Sequence, residues 1–152
     1  MLRTCAAGGG NLLLNIGPKA DGSIPRDALG RLKKVGLWLE KFGDVIYGDV
    51  DRVEDMEWMP TGTWTRKGQT LYYWCTRWPR KELAIGGLKG ELASARILPE
   101  GGPLPFEQSS DRLVIKKLPG DCPDRFAKVV VLELKFKTVP KQVLGAGCVV
   151  LE

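Results

Sequence analysis

One apolar run, Leu12-Leu13-Leu14-Asn15-Ile16, feeds one long amphipathic stretch, and nothing later in the chain repeats that pattern. The run is bounded by Gly8-Gly9-Gly10 and Gly17-Pro18, which fits a short strand buried on both faces, as in a parallel sheet. Asp21-Gly22 marks a turn, and Pro25 stands where a helix tolerates proline, since its missing N–H would be unpaired there anyway. Leu29, Leu32, Val35-Gly36, Leu39 and Phe42 follow at helical spacing, with Arg31, Lys33, Lys34, Glu40 and Lys41 filling mostly the other face. Gly43 is placed to end the helix in the left-handed conformation. A strand of this kind needs parallel neighbours on both sides. The pattern therefore predicts a chain that starts in mid-architecture, a fragment or one half of a split protein. Its uncovered apolar face should favour self-association, which removal of residues 1–48 should relieve.

After about Trp58 the sequence reads as strands and turns. Lys67-Gly68 turns the chain between strands expected at 63–66 and 70–76, and further strands are expected at 82–85, 93–98, 113–117 and 128–136. In the last of these, Val130, Leu132, Leu134 and Phe136 alternate with Glu133, Lys135 and Lys137, so one face is apolar and the other charged. Gly86-Gly87, Gly101-Gly102-Pro103 and Pro119-Gly120 separate the strands, a spacing that suggests an antiparallel sandwich. Residues 138–152 read as a linker or the start of a further module.

Chemistry is narrowed by what the chain lacks. It has no histidine, so Ser-His-Asp and Cys-His catalysis are excluded within it. Cys5, Cys75, Cys122 and Cys148 include no CxxC pair, and neither a metal nor a cofactor is expected. Cys75 falls in an apolar strand and reads as a buried thiol. The charge of +5 could suit an acidic partner. Yet the basic pairs Lys33-Lys34, Arg80-Lys81 and Lys116-Lys117 are scattered along the sequence, without the clustering of a nucleic-acid surface. No apolar run approaches the roughly 20 residues of a membrane span, so neither nucleic acid nor membrane is an expected partner. The first ten residues are too weakly apolar for a signal peptide; any export signal is expected in a longer parent protein.

The stretch Gly10-Asn11-Leu12-Leu13-Leu14-Asn15-Ile16-Gly17-Pro18, with Asp21-Gly22, Ile24-Pro25, Gly36-x-Trp38-Leu39 and Ile46-Tyr47-Gly48, resembles the α-L-fucosidases of glycoside hydrolase family 29 near the end of their catalytic domain. Trp64-Thr65-Arg66-Lys67-Gly68, Thr70-Leu71-Tyr72, Trp78-Pro79, Ala95-Arg96 and Leu104-Pro105-Phe106 extend the resemblance into their C-terminal sandwich. It implies an α/β fragment plus an all-β module: the terminal βα unit of a (β/α)8-type barrel over residues 1–48, a connector at 49–57, and an antiparallel β-sandwich at 58–137. It further implies a retaining hydrolase of α-L-fucosyl glycosides, whose parent enzyme is of an exported type (periplasmic, extracellular or lysosomal) and whose catalytic residues lie on barrel strands absent here. Retaining chemistry needs two carboxyl groups about 5–5.5 Å apart, and no residue of this chain matches those positions. The expected partners are the missing N-terminal barrel portion, in the same or a separate chain, and fucosylated glycans as substrate.

Barrel sites lie beyond the C-terminal ends of the strands, which makes Asn15 a candidate for the rim of a sugar pocket. The plainer reading has Asn15 bonding local backbone. Trp64, Trp74 and Trp78, with Tyr72 and Tyr73, are candidates for a sugar-stacking platform, or else core and interdomain packing. The acids Asp44, Asp49, Asp51, Glu54, Asp55 and Glu57 read as a solvated connector rather than a catalytic pair. As an isolated chain the protein is expected to be inactive and structural. The alternatives are a carbohydrate-binding sandwich module and one half of a split fucosidase.

Overall fold

The computed structural model describes residues 1–53, 61–110, 112–124, 129–142 and 148–151. Antiparallel sheets dominate it, with few helices. Two helices come first, α1 (Leu2–Ala7) and α2 (Arg26–Phe42), followed by a 3-10 turn at Gly43–Val45. The strands are β1 (Asp51–Arg52), β2 (Gly62–Lys67), β3 (Thr70–Cys75), β4 (Glu82–Gly86), β5 (Leu88–Lys89), β6 (Leu92–Ile97), β7 (Phe106–Gln108), β8 (Arg112–Ile115), β9 (Val130–Phe136), β10 (Lys141–Gln142) and β11 (Cys148–Leu151). A five-stranded sheet runs β1-β2-β3-β9-β6, a four-stranded sheet runs β11-β4-β8-β7, and β10 pairs with β5.

The hairpin β2–β3 turns at Lys67-Gly68, where Gly68 takes φ +55, and its register sets Trp64 opposite Tyr73. Gly62 opens it for a steric reason: a Cβ there would stand 2.5 Å from the Tyr73 ring and 2.6 Å from the Trp74 carbonyl oxygen. The inward residues of both large sheets meet in one core. Trp64, Leu71, Tyr73, Leu132, Leu134 and Phe136 come from the first, and Leu83, Ile85, Leu113 and Ile115 from the second. Each large aliphatic side chain buried there contributes about 1.5–3 kcal/mol.

The reverse face of the five-stranded sheet differs from the charged face expected of the last long strand. Val131 is fully buried and Glu133 nearly so. The cover is the end of α2. Phe42 and Val45 pack with Tyr72, Trp74 and Val131, joined by Trp38, Ile46, Leu98 and Val129. Gly43 makes this possible by not ending the helix as expected: it stays right-handed (φ −56, ψ −35), and the 3-10 turn carries Val45 onto the sheet. A division at residue 48 therefore cuts away part of a packed cluster. Pro25, read as the first helical residue, instead stands just outside α2 at its N-cap (φ −54, ψ 138), so the helix starts one residue later than read.

Residues 12–16 form no strand. Leu13 is 92% exposed and Leu14 52% exposed. A parallel-type strand is held by ladders on both edges and cover on both faces, and the described residues supply neither. Helix α1 was not legible in the sequence; it buries none of its residues. Residues 141–142 and 148–151, read as linker or further module, pair with β5 and β4 respectively. No helix among the described residues is long and apolar enough to cross a membrane.

Candidate functional site

Asn15 is exposed, on a segment that runs beside the start of α2. Residues Leu14, Asn15, Ile16 and Gly17 face Pro25, Asp27, Ala28, Arg31 and Leu32 across an open groove of about 420 Å³. The turn that follows is built as the sequence implied. Gly22, at φ +79, donates to the Lys19 carbonyl oxygen (2.9 Å), and Lys19 donates to that of Ser23 (2.9 Å). Asp21 accepts from the Ser23 hydroxyl (2.7 Å) and amide (2.9 Å), which hold its carboxyl below the usual range. Asp21 is thus a turn-forming residue. Among the described residues, Asp27 is the one carboxylate lining the groove. One carboxylate cannot perform a two-carboxylate displacement; what the groove offers is an amide, a cation and an acid, each able to hydrogen-bond a hydroxyl.

The aromatic candidates divide. Trp64 and Trp74 are 4% and 1% exposed and present no ring face to solvent, a correction to their reading as a stacking platform. The physical reason is that β2 and β3 are covered on both sides, by the four-stranded sheet and by the end of α2. Trp64 lies 4.6 Å from Tyr73 between ring centroids. The polar ends are satisfied internally: the Trp74 indole N–H donates to Thr65 Oγ1 (2.9 Å) and the Tyr73 hydroxyl to Thr61 Oγ1 (2.8 Å). Cys75 is the buried thiol expected, donating to the Arg77 carbonyl oxygen. Trp78 alone of the three tryptophans stays half-buried, its indole N–H donating to the Pro119 carbonyl oxygen (2.7 Å). Sequence reasoning gave Trp38 no role, yet it joins helix to sheet: its ring stacks on Phe42 at 4.8 Å and meets Trp74 at 5.9 Å.

Glu133 is the buried carboxylate among the described residues. Arg96 grips it with two hydrogen bonds, Nε to Oε1 (2.7 Å) and Nη2 to Oε2 (3.1 Å). Burial alone would raise the Glu133 pKa; the Arg96 hydrogen bond and charge, with Lys135, outweigh it and leave the group below its ordinary 4.5. Beside it, burial and then the charges of Glu133 and Asp44 push the Tyr72 hydroxyl up, keeping it protonated. A carboxylate so engaged is structural. A depressed folded-state pKa stabilises the fold above the unfolded value and loses that contribution as pH falls through the folded one. Arg96→Ala is therefore expected to cost about 1–3 kcal/mol at pH 7. That difference should shrink well below pH 4.5, where Glu133 protonates. Urea unfolding of both proteins at pH 7 and pH 3 checks this; an equal gap at both pH values would remove the ion pair from the account.

Asp44, Asp49 and Asp51 are exposed, and Glu54, Asp55 and Glu57 lie outside the described residues. Among the described residues no group of three His, Cys, Asp or Glu side chains could hold a metal ion.

Comparison with known proteins gives a consistent result. The family profile described as alpha-L-fucosidase matches residues 1–44. The rat (Rattus norvegicus) plasma alpha-L-fucosidase is 31% identical over 129 residues, covering 73% of this chain and 26% of its own length. The tissue alpha-L-fucosidase of Macaca fascicularis is 40% identical over 140 residues, covering 88% of this chain and 26% of its own. Among solved structures, alpha-L-fucosidase isoenzyme 1 from Paenibacillus thiaminolyticus superimposes with a TM-score of 0.76 at 30% identity, over 88% of this chain and 32% of that one. The chain thus spans between a quarter and a third of the length of these relatives.

Proposed function

Taking as premise that the chain corresponds to a fragment of an α-L-fucosidase, we propose that it supplies the terminal strand–helix unit of a (β/α)8-type barrel together with the sandwich that carries it. In this reading it serves retaining hydrolysis of α-L-fucosyl glycosides only beside the remainder of the barrel, in the same chain or a separate one. One observation carries the proposal: of the 17 residues of α2, an amphipathic helix, Phe42 alone is buried. Leu29 and Val35 remain 39% and 43% exposed, next to the unpaired apolar residues 12–16. A helix with that much open apolar surface, beside a strand-like segment with no sheet, has the form of a βα unit awaiting parallel neighbours. Asn15 then sits on the face where barrel sites are built, at the rim of the sugar pocket.

The test is direct. Purified chain is expected to show no turnover of an aryl α-L-fucoside above buffer, because among the described residues its groove holds one carboxylate where two are needed. Turnover that survives repurification and vanishes on Asp27→Asn would overturn the proposal.

A further inference from the structure

Two basic pairs that lie far apart in the sequence are neighbours in the fold. Antiparallel pairing of β4 with β8 sets Leu83 opposite Ile115, and the ladder continues outward as Leu118 N–H donates to the Lys81 carbonyl oxygen (2.9 Å). Arg80-Lys81 and Lys116-Lys117 therefore share one end of the four-stranded sheet. Trp78 ties the same two loops together through its bond to Pro119 (2.7 Å) and stays half-buried between them. Residues 77–82 and 116–121 carry five cations, Arg77, Arg80, Lys81, Lys116 and Lys117, against two acids, Glu82 and Asp121. Lys116 pairs with Glu107. Among the described residues no ion pair engages Arg77, Arg80, Lys81 or Lys117, and all four are exposed.

The backbone adds a second observation. Among the described residues, the non-glycine positions with left-handed φ are Arg80 (φ 65) and Lys117 (φ 55), one in each of these loops. An L-residue is disfavoured there, and such strain is typical of sites that hold a ligand. Neither position uses its charge inside the fold.

We propose that Arg77, Arg80, Lys81 and Lys117, around Trp78, form a binding surface for a sulfated glycan. The cations match sulfate groups, and the single partly open indole suits the apolar face of one sugar ring. A nucleic-acid strand is served instead by several stacking aromatics along a groove, and this surface offers one. The choice of a glycan among polyanions rests on the reading of the chain as part of a glycosidase; the cationic surface does not.

The probe is heparin, titrated into the full chain at several salt concentrations. Arg80→Gly/Lys81→Ser/Lys117→Gly removes three charges and relieves both left-handed positions, so this variant is expected to keep its thermal midpoint. The control, Lys19→Ser/Lys33→Ser/Lys41→Ser, removes three exposed charges elsewhere. The first variant is expected to lose about tenfold or more in affinity and about three units of salt slope, and the control less than about twofold. Equal losses in both variants would reduce the effect to net charge and overturn the site, as would no binding by the unmodified chain. Tighter binding of single-stranded DNA than of heparin would overturn the glycan assignment. Fucoside turnover plays no part in the readout, so failure here leaves the α-L-fucosidase reading standing.

Discussion

Trp74→Ala is expected to cost about 3–5 kcal/mol, the range for emptying a large aromatic site from a packed core. Trp74 is 1% exposed and packs with Tyr72, Val131 and Phe42 on the reverse face of the five-stranded sheet. Truncation also orphans the fully buried Thr65 hydroxyl, which accepts from the indole N–H. For a chain of this size the thermal midpoint should fall by roughly 10 °C. Calorimetry with and without fucose or fucosyl-oligosaccharides decides between packing and sugar binding. Saturable binding by the unmodified chain, lost in a Trp74→Ala protein whose midpoint has not moved, would restore the stacking platform and sink the packing assignment.

Removing residues 1–48 is expected to damage the antiparallel sheets rather than improve the protein's behaviour. The deletion takes Trp38, Phe42, Val45 and Ile46 off the sheet and leaves Tyr72, Trp74 and Val131 open to water. Loss of Phe42 alone is worth about 3–5 kcal/mol, a large part of the 5–15 kcal/mol that typically separates folded from unfolded domains. The shortened protein should aggregate or melt at a markedly lower temperature. Removing only residues 1–24 should be tolerated far better, since α1 buries no residue and residues 12–16 form no strand pairing among the described residues. A 49–152 protein that melts where the full chain does would show that the helix merely rests on the sheet.

Local pattern was enough for the strands. Short runs between glycine and proline turns placed β2, β3, β4, β6 and β8 within a few residues, and period-two alternation placed β9, because turn chemistry and strand periodicity are both local properties. The turns at Gly22 and Gly68 were legible for a similar reason: glycine at those positions marks a backbone conformation, and a conformation is local. Short strands were not. Asp51–Arg52, Leu88–Lys89 and Phe106–Gln108 are too brief to show a period and exist only because a partner strand is there to bond.

The site was less legible than the fold. Trp64 and Trp74 stand in the same hairpin, and alternation alone would send one to each face; nothing in the spacing says that both faces are covered. Glu133 has the pattern of an outward residue, and its burial against Arg96 depends on where α2 lies.

The sequence by itself determined the six strands β2, β3, β4, β6, β8 and β9, the single amphipathic helix, the lack of histidine chemistry and the resemblance to α-L-fucosidases, all properties of residue type and spacing. Tertiary structure alone decided three things. Residues 12–16, apolar enough for a strand, stay unpaired because a ladder needs a partner the chain's own pattern cannot provide. Helix α2 divides its surface between a seat on the sheet at Trp38 and Phe42 and an open face at Leu29 and Val35. Arg80-Lys81 and Lys116-Lys117 become one cationic surface because antiparallel pairing joins residues by register, which distance along the chain does not reveal.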